Sequence, residues 1–150
     1  MKSIKTKLLS IALLFALFSC EKVSDAISGD KLEGTWKVQS VIIKDSDGAE
    51  TNFWALYLAF FPCVDNITYT FKDGTYSSNV PSGCVDDDGE TLSLLSASGG
   101  TYSVTDGQVT LDVDGQALGG NITFSGNQAI VTTVDPDDLS STLTITFVKS

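Results

Sequence analysis

The sequence predicts an all-β fold, an eight-stranded antiparallel up-and-down β-barrel, and three observations point there. From Leu32 onward, apolar and polar residues alternate in short runs. The dipeptides Asp73-Gly74, Asp106-Gly107 and Gly126-Asn127 join those runs as tight turns. No long stretch carries an amphipathic helical period. Eight antiparallel strands joined in sequence close on themselves, which removes exposed edges and leaves an interior for side chains or one small ligand.

Ahead of the strands lies a segment of different character. Lys2, Lys5 and Lys7 make a basic start, Leu8 to Phe18 is an apolar run of 11 residues, and Ser19-Cys20 follows. A spanning helix needs about 20 apolar residues, so residues 1–19 read as a cleaved signal peptide. Leu17-Phe18-Ser19-Cys20 resembles the lipobox of bacterial lipoproteins, with Phe18 as its departure. That resemblance implies lipid attachment (palmitate-type chains) at Cys20, cleavage before it, and anchoring in the cell envelope, at the outer membrane on its periplasmic or surface face. The alternative is an ordinary secretory signal with an incidental cysteine. Residues 20–31 form the lipidated cysteine and a polar tether, and residues 32–150 form the domain.

The strands follow in order. In Thr35 to Ile43, Trp36, Val38 and Ile42 share one face with Ser40 by alternation. Ile67, Tyr69 and Phe71 alternate with Thr68, Thr70 and Lys72, and Asp73-Gly74 turns the chain into Thr75 to Val80. Tyr102 and Val104 lead through Asp106-Gly107 to Val109, Leu111 and Val113. Ile122 and Phe124 precede the Gly126-Asn127 turn, Ala129 to Val134 returns, and Leu143, Ile145 and Phe147 close the series.

Charge and cysteine usage exclude several functions. The chain carries 19 acidic residues against 9 basic ones, all lysine, and no histidine, for a net charge of −10. Loss of the three signal-peptide lysines takes this to −13. Such a domain repels nucleic acid and favours basic or cationic partners. With Cys20 assigned to lipid, Cys63 and Cys84 remain as an even pair in an oxidising compartment and are expected to be bridged; two buried free thiols are the alternative. Without histidine or a free thiol, the chain lacks the usual bases and nucleophiles, so no catalytic residue, metal ligand or cofactor is assigned.

Leu32-Glu33-Gly34-Thr35-Trp36-Lys37-Val38 resembles the Gly-x-Trp opening of lipocalins. Cys63-x-Asp65-Asn66-x-x-Tyr69-x-Phe71-x-Asp73-Gly74-Thr75-Tyr76, with Cys84 after it, is similar to the bacterial lipocalin-like lipoprotein domain, a calycin-type barrel, as are Gly100 to Val104 and Leu143 to Phe147. The resemblance implies an up-and-down barrel and a hydrophobic ligand. Lipocalins commonly place an arginine over the first-strand tryptophan; this chain has none, and Lys149 is its candidate substitute, on the face of Leu143, Ile145 and Phe147. Gly34, Trp36 and Lys149 are therefore expected to pack the barrel base; a terminal solvated lysine is the alternative for Lys149.

If Trp36 plugs one end, the three tight turns fall there. Lys44 to Val64, Pro81 to Gly99, Asp114 to Gly120 and Asp135 to Leu139 fall at the opposite rim, as long loops. The first of these carries Phe53, Trp54, Tyr57, Phe60 and Phe61, and the spacing of Phe53, Tyr57 and Phe60 or Phe61 predicts a short helix stopped by Pro62. Its rings either form a lid or plug the barrel as core. A cavity, if open, would be lined by Val38, Ile42, Tyr69, Tyr76, Tyr102 and Leu111, with Trp54 and Tyr57 at its mouth. Ten rim acids against Lys44 favour a small hydrophobic ligand that is neutral or cationic. Asp45-x-Asp47-Gly48 and Asp112-x-Asp114-Gly115 lack the rest of an EF-hand loop and read as turns, not as metal sites. Two functions stay open: a membrane-tethered cup for a small ligand, or an acidic module that captures a basic protein.

Overall fold

Alternation and turn chemistry produce a closed barrel. The structure, a computed structural model, describes residues 29–135 and 138–150; Cys20 and the signal segment lie outside them. After a 3-10 turn at Gly29–Lys31 come β1 (Gly34–Lys44), β2 (Glu50–Asn52), α1 (Phe53–Phe60) and a 3-10 segment, Pro62–Asn66. Then follow β3 (Thr68–Lys72), β4 (Thr75–Asn79), β5 (Gly100–Thr105), β6 (Gln108–Val113), β7 (Gln116–Ser125), β8 (Gln128–Val134) and β9 (Thr142–Lys149). Strands β1 and β3 to β9 pair in order, all antiparallel, and β9 returns to β1. Short β2 is an addition to the eight-stranded barrel, paired with the last three residues of β1.

The hairpins at the base have a local cause. Asp73 and Gly74, and likewise Asp106 and Gly107, all hold positive φ, the type I′ geometry whose twist matches the flanking strands. In Gly126-Asn127 only the glycine is positive, as in a type II′ turn.

Two expectations about the strands are corrected. A bulge between Val38 and Ser40 in β1 shifts the register against β9, so Val41 pairs with inward-facing Ile145, and Ile42 pairs with Thr144. An extra residue moves every later side chain to the other face. Val41 is accordingly 1% exposed, and Ile42 lies on the outer face instead of lining the interior. The second correction concerns the rim. Asp114 and Gly115 both hold positive φ and join β6 to β7 directly, with Val113 opposite Gln116, so residues 116–120 are strand and not loop. Short turns are therefore present at both ends.

Trp36, Tyr69, Phe71, Tyr76, Tyr102 and Phe147 are buried together in the base half. Their rings interlock: Phe71 meets Tyr102 at 5.2 Å and Tyr76 at 5.7 Å, Tyr69 meets Phe147 at 6.2 Å, and Trp36 meets Phe124 at 6.5 Å. Aromatic pairs at such separations add to the stabilisation from burial itself.

Candidate functional site

The base is closed by the residues of the Gly-x-Trp segment. Trp36 Nε1 donates to the Leu32 carbonyl at 2.7 Å, tying the 3-10 turn under the barrel. Lys149 pairs with Trp36 and sets its Nζ 5.3 Å from the ring centroid. A Cβ on Gly34 would stand 2.8 Å from Lys149 Cε, so glycine leaves room for the lysine stem. Tyr76 lies over Gly100, its cross-strand partner, and its hydroxyl donates to the Asp112 carbonyl at 2.8 Å.

The rim is built from the segments between β1 and β5. Asn52 caps α1 by accepting from Ala55 N at 3.0 Å, and Pro62 begins the next 3-10 segment. The buried side of α1 is Trp54, Tyr57, Leu58 and then Phe61, spaced i, i+3, i+4 and i+7. The expected stripe holds at Tyr57 and Phe61 and is corrected at Phe53 and Phe60, which are 40% and 77% exposed. The sequence around α1 is apolar on all sides, so its own pattern could not choose the face.

Cys63 and Cys84 form a disulfide with Cα atoms 5.6 Å apart. The bridge fastens the segment after α1 to the loop after β4. That loop is fixed again further on: Tyr69 Oη accepts from Leu94 N at 3.0 Å and pairs with Ser93 Oγ at 3.2 Å. At its end, buried Ser96 donates to Asp114 Oδ1 at 2.6 Å, and Ser78 Oγ donates to the Ser96 carbonyl.

Beneath this roof, on the side of β6 to β9, a cavity of about 200 Å³ remains. Leu111, Val131, Leu143 and Ile145 form its walls, and Leu94 and Leu95 roof it. No charged side chain lines it among the described residues. The aromatics fill the base, and these smaller aliphatics leave the upper half short of atoms. Of the residues expected to line a cavity, Leu111 does so. Val38, Tyr69, Tyr76 and Tyr102 belong to the packed core, while Trp54 and Tyr57 belong to the cover. Gly119, Gly120, Val109, Leu118 and Thr133 complete the lining. One signal for them was available before the structure, the Gly119-Gly120 pair within an otherwise alternating strand.

Burial holds the phenols of Tyr57, Tyr76 and Tyr102 above the ordinary tyrosine range, with nearby carboxylates acting in the same direction. Four acids at this end, Asp47, Asp86, Asp112 and Asp138, are engaged in turns. Asp86 Oδ1 accepts from Asp88 N and Glu90 N, Asp47 Oδ1 from Ala49 N, and Asp112 Oδ1 from Gly115 N. Asp138 accepts from Ser140 and Ser141, whose hydrogen bonds hold its carboxyl below the usual range.

The wall of the barrel also parts near this cavity. The ladder between β7 and β8 runs from Ser125↔Gln128 to Asn121↔Thr132 and stops. Beyond it, Gln116 to Gly120 stay with β6, and Thr133 and Val134 stay with β9. Thr133 Oγ1 donating to the Gly119 carbonyl at 2.6 Å bridges the gap.

The family model of the lipocalin-like domain matches residues 32–128. The chain belongs to the lipocalin-like domain family. The matched segment ends as β8 begins; β8 and β9, which close the lipocalin-like barrel, lie almost wholly beyond it. Comparison with curated proteins and with solved structures gives no match.

Proposed function

We propose that this lipocalin-like protein is a non-catalytic carrier of a small hydrophobic or amphiphilic molecule, tethered in the cell envelope through Cys20. The observation that carries the reading is the apolar cavity of about 200 Å³ under Leu94 and Leu95. It is smaller than the roughly 300–1,000 Å³ of a drug-sized site. An apolar cavity of about 150 Å³ accommodates benzene, so by proportion this one takes a group of about eight carbons. The absence of any lysine from the described lining residues, within a chain of net charge −10, favours a neutral or cationic molecule over an anionic one.

The tether has a geometric consequence. The 3-10 turn at Gly29–Lys31 lies at the base, where a Cβ on Gly29 would touch the Tyr102 ring at 3.8 Å. Residues 21–28 then reach at most ~26–29 Å from a lipidated Cys20, and the cavity faces away from the lipid surface. Native mass spectrometry of the domain purified under mild conditions tests the carrier: a co-purifying small mass is expected, and an unliganded domain that also ignores added short-chain alcohols argues against it. For the anchor, Cys20→Ser is expected to move the protein to the soluble fraction; retention in the membrane contradicts it.

A second reading, capture of a basic protein by the acidic rim, draws on one observation. Phe53, Leu56 and Phe60 on α1 are exposed to 40%, 54% and 77% at helical spacing, beside Asp45, Asp47 and Glu50. Under that reading, a charge-reversed rim loses its partner while cavity occupancy is unaffected.

A further inference from the structure

Outside the barrel, directly across the parted wall from the cavity, is an open groove of about 420 Å³. Gln108, Asn121, Thr132, Val134 and Thr142 line it, on the outer faces of β6, β7, β8 and β9. Gly119, Gly120 and Thr133 line both the groove and the cavity. Here the wall between inside and outside is two glycines and Thr133, whose Oγ1 donates to the Gly119 carbonyl; Gly120 packs against β8, where a Cβ would stand 2.8 Å from the Thr132 carbonyl oxygen, so the slot lies at Gly119. Neither glycine has a positive φ, and a Cβ on Gly119 would meet nothing within 4 Å. Backbone conformation therefore does not demand glycine at position 119; leaving the slot unfilled is what a side chain there would prevent.

The two chambers differ in chemistry. The inner one is aliphatic. The outer one presents two amides, three threonine hydroxyls and the exposed Val134 side chain, with no charged side chain among the described residues. Gln108 Nε2 donates to Asn121 Oδ1, which leaves the Gln108 carbonyl oxygen as an acceptor and the Asn121 amino group as a donor. An ionic head group would find no counter-charge in this groove, whereas hydroxyls can both donate to and accept from such a set.

We propose that the slot between β7 and β8 is a lateral portal. Through it one amphiphile spans both chambers, with a single alkyl chain of about eight carbons inside and a neutral, hydroxyl-rich head group in the outer groove. The inference rests on the carrier reading and adds the head-group class and the route. Ligand would pass through the wall when the Thr133 hydroxyl releases Gly119, without displacing the disulfide-fastened roof.

Isothermal titration of the purified domain with four n-octyl probes below their micelle concentrations tests this: octyl glucoside, octyltrimethylammonium, octanoate and n-octanol. Octyl glucoside is expected to bind at least tenfold more tightly than any of the other three. Replacing both groove amides, Gln108→Ala with Asn121→Ala, is expected to remove that advantage while n-octanol stays within about twofold. Because both positions are exposed on strand surfaces, the double variant is checked for an unchanged melting transition; Gln108→Glu alone, which removes no bulk, is expected to weaken the glucoside and serves if that transition shifts. If n-octanol binds but the glucoside has no advantage, or keeps its advantage in the variants, the portal proposal fails and the carrier stands. Absence of n-octanol binding overturns both.

Discussion

Tyr69→Phe removes one oxygen and no packing, yet it should loosen the roof of the cavity. In the native protein the phenol accepts from Leu94 N at 3.0 Å and pairs with Ser93 Oγ at 3.2 Å. Its ring is 1% exposed and stacks edge-on against Phe147, contacts that phenylalanine keeps. The loss is therefore that of a part-buried donor without an acceptor plus one hydroxyl contact, which costs about 1–2 kcal/mol. That magnitude corresponds to a factor of roughly 5–30 in an opening equilibrium. Amide hydrogen exchange followed by NMR reads it directly. The Leu94 amide should exchange about 5–30 times faster in the variant, while amides of β8 and β9 change only by any global loss of stability. A Leu94 amide as protected as before would refute the assignment of the Tyr69 hydroxyl as the pin of this loop, and with it the account of what holds the roof.

The remaining predictions concern the frame. Cys63→Ser with Cys84→Ser, which frees a connection of 21 residues, should lower the unfolding free energy by about 3 kcal/mol, measured by urea denaturation; a change below ~1 kcal/mol would show that the roof is held without the bridge. Gly100→Ala places a methyl against the Asp112 carbonyl and the Tyr76 ring and should destabilise by ~3 kcal/mol or more; near-native melting would mean that Tyr76 does not cover this glycine. The phenols of Tyr57, Tyr76 and Tyr102 have raised folded-state values. Their contribution is thus fully present below the unfolded tyrosine value near ~10 and is lost as pH rises through the folded values. Phenolate absorbance should lag that of free tyrosine on alkaline titration and then rise with unfolding.

Much of this architecture was legible where the signal is local. Asp73-Gly74 and Asp106-Gly107 dictate their hairpins because positive φ at two successive positions suits few residue pairs. The same logic applies to Asp114-Gly115, but its acids read equally as part of an irregular rim, and only the register of β6 against β7 resolves them. The bulge at Gln39 was hidden for a different reason: Val41, Ile42 and Ile43 are all apolar, so a slip by one residue leaves no polar side chain on the wrong face. On α1, an apolar segment throughout, the buried face is set by what lies beneath it.

The site was harder to read than the barrel. Tyrosines at inward positions looked like polar handles in a cavity, but large rings that meet at 5–7 Å fill the space they enclose. The open volume lies where inward residues are Leu, Val and Ile and where Gly119-Gly120 thins the wall. Predicting that requires knowing which inward positions share a level of the barrel, information that appears only once all eight strands are in register.

The most direct test of a carrier with its ligand space on the β6 to β9 side is a methyl-resolved NMR titration with n-octanol. Saturable shifts are expected at the methyl groups of Leu94, Leu95, Leu111, Val131, Leu143 and Ile145, with Val38 and Val41 unmoved. Shifts that never saturate, or that gather on Leu56 of α1 while these six stay still, would contradict it.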